Sequence, residues 1–95
     1  MLHIGRGWMV FPDQVVAILD MSGTLPPATR AWLRRCQGAG LVTRLDASVR
    51  SLVLVDGPLG EQVYMSPLSA AALSARVSSA NRRALAPVWD RDGRA

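Results

Sequence analysis

Nucleophilic chemistry in this chain would have to begin with His3 and Cys36, its single histidine and single cysteine. No carboxylate lies close to His3 in the sequence to orient its imidazole. A Ser-His-Asp or Cys-His arrangement would therefore have to be assembled from distant segments. Cys36 falls among the apolar positions of a predicted helix, where a buried thiol behaves as a small hydrophobe. Asp13, Asp20, Asp46, Asp56 and Glu61 all fall at predicted strand ends or turns, the ordinary place for carboxylates, and no pair of them is arranged for acid/base work. One cysteine closes no intramolecular disulfide and forms no Cys-x-x-Cys metal clip. Gly5-Arg6-Gly7 lacks the third glycine and the strand-to-helix context of a dinucleotide fingerprint, and no phosphate loop of the G-x-x-x-x-G-K-[ST] type occurs. These features argue against an enzyme, a cofactor and a small-molecule substrate.

The remaining chemistry is that of arginine. All eleven basic residues are arginine, against seven acidic ones, for a net charge of +4. The guanidinium is a planar fork suited to phosphate, so an all-arginine set fits contact with a nucleic-acid backbone. A genome composition that favours arginine and alanine codons gives the same count. Half of the net charge lies in the last nineteen residues, with Arg82, Arg83, Arg91 and Arg94 against Asp90 and Asp92, so the rest of the chain is only mildly basic.

Positioning these residues requires one small domain, because 95 residues leave no room for two. With 49% hydrophobic and 19% charged residues the composition supports a packed core. A domain of this size buries only about 60% of its unfolded surface, which makes self-association a natural further source of stability. Leu2 to Ile4 and Trp8 to Phe11 read as two strands around a Gly-Arg-Gly turn, and Val15 to Leu19 as a third, nearly continuous apolar strand covered on both faces. A helix is predicted from Pro26 or Pro27 to Gln37, with Thr24 as N-cap and Gly38-Ala39-Gly40 as its stop. Leu25, Ala28, Trp32, Leu33 and Cys36 fall on its apolar side, and Arg30, Arg34 and Gln37 on the other.

Leu41 to Leu45 alternates as a half-exposed strand. Ser51 to Asp56 and Gln62 to Met65 form a hairpin over the four-residue loop Gly57-Pro58-Leu59-Gly60. Ser66 is the expected cap of a second helix opened by Pro67 and running to about Val77. The expected fold is thus α+β, a small mixed or antiparallel sheet of about six short strands with two helices in a single domain over residues 1–77. Residues 78–95 read as a flexible polar tail, with Trp89 its one aromatic. The N-terminus has no apolar leader, no apolar run approaches the ~20 residues of a membrane span, and a lone cysteine suits a reducing compartment. A cytoplasmic protein without a membrane partner is expected.

Taken in order, Leu2-His3-Ile4-Gly5, Val10, Val15-Val16-Ala17-Ile18-Leu19-Asp20, Thr29-Arg30, Ser51-Leu52-Val53-Leu54 and Val63-Tyr64-Met65-Ser66-Pro67-Leu68-Ser69 resemble the RemA/RemB family, small bacterial proteins named as extracellular matrix regulators. The likeness covers about residues 1–77, and the RemB branch is the nearer. The resemblance implies a DNA-binding transcriptional regulator and, from the RemA branch, a ring-shaped homo-oligomer that presents arginines to double-stranded DNA. Where that branch carries basic residues at the start of the third strand and before the fifth, this chain has Gln14 and Ala47-Ser48-Val49-Arg50, so Arg50 alone carries over. Arg44, Arg30 and Arg34 are the remaining candidate DNA contacts. The competing expectation is an oligomeric protein-interaction module without affinity for DNA.

Overall fold

The computed structural model describes residues 1–80. Two short antiparallel strands, β1 (Leu2–Gly5) and β2 (Trp8–Val10), form a sheet of their own. A 3-10 turn at Pro12–Gln14 leads into β3 (Val15–Asp20), followed by α1 (Pro27–Gly38), β4 (Val42–Arg44), β5 (Ser51–Gly57) and β6 (Gly60–Ser66). A second helix, α2, occupies residues 70–80. The α+β class and the six strands are as expected, divided between a two-stranded and a four-stranded sheet. The larger sheet has the order β3-β5-β6-β4, with β4 parallel to β6 and the other neighbours antiparallel.

Period-two alternation along β5 explains the layers. Leu52 and Leu54 pack with Val63, Met65 and the α1 residues Leu33 and Cys36. Val53 and Val55 pack on the opposite side with Leu2, Ile4, Val10 and Leu73. The sheet therefore lies between α1 on one face and the β1–β2 hairpin with α2 on the other. The apolar run of β5 is covered on both faces by its own chain. The expectation that β3 is covered in the same way is corrected. It lies at the sheet edge, its register with β5 shifts between Val15 and Ala17, and Val16 is 67% exposed. A β-branched run reports strand propensity, and lateral order is set by which strands find two partners.

Helix α1 lies where the proline and glycine signals put it, but Thr24 is not its cap. Pro26 occupies the N-cap position without a side-chain cap, and Arg30 N–H donates to Pro26 O at 3.0 Å. Pro26 and Pro27 carry no N–H, so two of the four donors that a helix start leaves without an intrahelical partner are absent. The helix ends at Gly38 with Ala39 as its C-cap, and Gly40 beyond it, at a φ of +76°, lets Leu41 N–H turn back to Cys36 O at 3.0 Å. Leu33 and Cys36 are buried beneath it, with Trp32 and Leu25 packed alongside; Ala28, assigned to the apolar side, is exposed.

Ser66 is likewise not a helix cap. Its buried hydroxyl donates to Ile4 O at 2.6 Å and accepts from Leu68 N–H at 3.0 Å. The cap of α2 is Ser69, whose Oγ accepts Ala72 N–H at 3.1 Å. Helix α2 continues through residues 78–80, past the expected boundary at residue 77. The β5–β6 connection is also shorter than expected: Gly57 pairs with Gly60, leaving Pro58 and Leu59 as the link. Trp89 and Arg82, Arg83, Arg91 and Arg94 lie outside the described residues. Among the described residues no helix is long and apolar enough to cross a membrane.

Ser66→Ala is expected to leave Ile4 O and Leu68 N–H without their side-chain partner in a dry joint, lowering stability by about 1–3 kcal/mol for each group that water cannot reach. Urea unfolding with an unchanged m-value checks this. Cys36 is expected to react with a thiol reagent slowly in the native protein and rapidly in urea.

Candidate nucleic-acid interface

Arg50 precedes β5 and is held by backbone bonds on both sides. Its N–H donates to Ser66 O at 2.8 Å, and its carbonyl accepts Met21 N–H at 3.0 Å. The side chain is exposed. Arg44 ends β4 opposite Met65 and is exposed as well. Met65 and Ser66 are consecutive on β6, so Arg44 and Arg50 flank the end of that strand from its two sides. The structure brings this pair together at one end of the sheet.

Asp20 shares that end, paired with Ser51 at the close of β3. Its carboxyl is held below the usual aspartate value first by the hydroxyl of Ser22. The Ser22 N–H, 2.8 Å from Oδ1, adds to this, desolvation opposes it, and the charge of Arg50 contributes least. Arg50 thus has an anionic neighbour within electrostatic reach, without a direct ion pair among the described residues.

Arg30 and Arg34 belong to a different layer. Both lie on the solvent side of α1, one turn apart, together with the exposed Arg35, which the sequence pattern did not single out. Helix α1 contains no aspartate or glutamate. Because β3 and β4 run in the same direction, the helix between them has to run back, which places its first turn and Arg30 at the Arg50 end of the sheet. The four candidates therefore form two pairs, one at the sheet end and one on the helix surface.

Arg6 has another partner. It sits at φ +52° between Gly5 and Gly7, and its Nε donates to Asp46 Oδ2 at 3.2 Å. Partial desolvation pushes the Asp46 carboxyl upward. The Ser48 N–H, the Arg6 side chain, the Ala47 N–H and the Arg6 charge outweigh that effect, so its pKa is lowered. The pair clips the β1–β2 turn to the segment that leads to Arg50. Arg76 of α2 donates to His3 O at 3.1 Å. These contacts span 40 and 73 residues, and no local sequence signal announces them.

Gln14, at the position where the resemblance points to a basic residue, lies at the far end of β5. Its side chain is within 3.1 Å of where a Cβ on Gly57 would stand. The seven residues of β5 put about 20 Å between that end and Arg50. His3 is exposed on β1, and Cys36 is buried under α1 on the other side of the sheet, so the two do not form a nucleophile–base pair. Neither a family model nor a curated protein matches the chain.

In a carboxyl-detected NMR titration Asp46 is expected to protonate below the ordinary aspartate range, and Arg6→Ala to move its midpoint upward. The sign follows from linkage. A pKa lowered by folding stabilises the folded state above the unfolded value, and that contribution is lost as pH falls through the folded value. The Arg6–Asp46 clip is expected to hold at neutral pH and to release only in acid.

Proposed function

We propose that this protein is a DNA-binding regulator that acts as a homo-oligomer through arginine contacts to the DNA backbone, the function that its resemblance to the RemA/RemB family implies. The observation that carries the reading is the pair Arg44 and Arg50. Both are exposed, both flank the end of β6, and the Arg50 backbone is bonded to two neighbouring segments. A guanidinium on a fixed backbone loses less freedom on meeting a phosphate than one on a loose loop, and the fork pairs with phosphate oxygens in a defined geometry. Arg30 and Arg34 extend the cationic surface along an acid-free helix.

Magnitude favours several copies acting together. One or two phosphate contacts per chain give log K a salt slope of only about −1 to −2, which is weak binding. Linked copies on one duplex add avidity of order 10² to 10⁴ with no change in the chemistry of each copy. Two observations favour the second reading, an interaction module without DNA affinity. Asp20 stands beside Arg50, and the larger exposed apolar residues gather at the end of the sheet away from the arginines.

Arg50→Ala is expected to weaken binding to duplex DNA of any sequence and to reduce the salt slope by about 0.9 for each phosphate no longer neutralised, with the fold and oligomeric mass unchanged. Arg44→Ala is expected to do the same. Fluorescence anisotropy at several salt concentrations measures both. An unmutated protein that binds no DNA at low salt makes the interaction module the better reading.

A further inference from the structure

Helix α1 does not close fully on the sheet. A hollow of about 140 Å³ lies between it and the strands, walled by Trp32, Cys36, Leu41, Leu54 and Val63. Val16 lines it as well, because the register of β3 shifts between Val15 and Ala17 and leaves Val16 exposed there. The volume suits a single aromatic ring, since an apolar cavity of about 150 Å³ takes up benzene. Cys36 is a free thiol, only 9% exposed, at the wall of this hollow. Its polarizable sulfur and the Trp32 indole both make favourable contacts with an aromatic ring.

Glu61 is the one charged residue among those lining the hollow, and it is exposed. Asp56 pairs with Glu61 across β5 and β6, so strand alternation places both carboxylates on the face that carries Leu54 and Val63. Like charges directly opposite on a sheet, with Cβ atoms about 5 Å apart, repel each other. Among the described residues neither carboxylate forms an ion pair. No arginine lines the hollow, and Arg44 and Arg50 stand at the opposite end of the sheet, beyond the screening length of about 8 Å at physiological salt. A cation at this opening relieves the repulsion between the two acids.

We propose that the hollow binds a small aromatic amine, with its ring seated against Trp32 and Cys36 and its ammonium held by Glu61 and Asp56. The volume limits the apolar part to one ring, and the carboxylates select a positive charge beside it. An ammonium has three donors, enough to serve both acids at once. The site goes beyond the DNA-binding reading and shares none of the four candidate arginines, so either can fail without the other.

Benzylamine is the probe, with benzyl alcohol as its uncharged analogue and methylammonium as the cation without a ring. Proton NMR titration of the full chain is expected to show saturable binding of benzylamine with a Kd on the order of 1 mM, the affinity reached by a ligand of this size. Overhauser contacts are expected from its ring to the Trp32 indole and to the methyl groups of Leu54 and Val63. Benzyl alcohol is expected to bind about fivefold more weakly, and methylammonium more weakly still. Asp56→Asn and Glu61→Gln together are expected to weaken benzylamine about tenfold and to leave benzyl alcohol unchanged. Both positions are exposed, so the circular dichroism spectrum is expected to stay the same. Benzylamine that fails to saturate by about 20 mM, or whose ring contacts lie elsewhere, overturns the site. Equal affinity for benzyl alcohol, or a double variant that binds benzylamine undiminished, overturns the amine as its ligand.

Discussion

Ser51 and Ser66 face each other across β5 and β6 with no solvent exposure, and their two hydroxyls bond three backbone groups in two other parts of the chain. Ser66 Oγ joins Ile4 O to Leu68 N–H, and Ser51 Oγ donates to Leu68 O at 2.8 Å. The β1–β2 hairpin and the segment leading into α2 are thereby bonded to the centre of the sheet at one place. Burial makes the Ser66–Ile4 bond demanding, because a backbone carbonyl that loses its partner there has no water to replace it. Among the described residues no buried side-chain polar atom lacks a partner. Steric contact tightens the same joint. Gly5 sits at φ +125°, and a Cβ there would lie 2.8 Å from Pro67 Cδ, so neither the backbone angle nor the space accepts a side chain.

The candidate interface depends on that joint through one further bond. Ser66 O accepts the Arg50 N–H, so the residue that ties the hairpin to the sheet also anchors the arginine. The Arg6–Asp46 clip holds the hairpin turn against the segment before Arg50 from the other side. Ile4, Gly5, Ser51, Ser66, Pro67 and Leu68 are the residues that build this joint. In the proposed reading, function rests on the side chains carried at the edges of this joint.

Arginines and exposed apolar residues are segregated along the sheet. Arg44 and Arg50 lie at one end, and Met1, Met9, Phe11 and Leu59 at the other. Under that reading this separation keeps the apolar end clear of a bound polyanion. A chain this short has little surface to spare, and dividing it by end and face keeps its contacts from obstructing one another.

Composition and spacing determined the class of the fold, six strands with two helices, and the placement of α1. Proline at a helix start, glycine at its end and a helical stripe of Trp32, Leu33 and Cys36 are local signals that need no distant partner. Arg50 was legible as a fixed arginine, because it stands immediately before a strongly apolar strand. Tertiary structure alone decided the rest. Strand order put β3 at an edge, since its apolar run says nothing about how many neighbours it will have. Ser66 reads as a helix cap in sequence, yet its hydroxyl bonds to Ile4, 62 residues away. Arg6 found Asp46 across 40 residues, and the exposed apolar end of the sheet gathers residues from the N-terminus, β2 and the β5–β6 turn. Each of these depends on contacts between segments far apart in the chain, and their pairing is settled only when the layers pack.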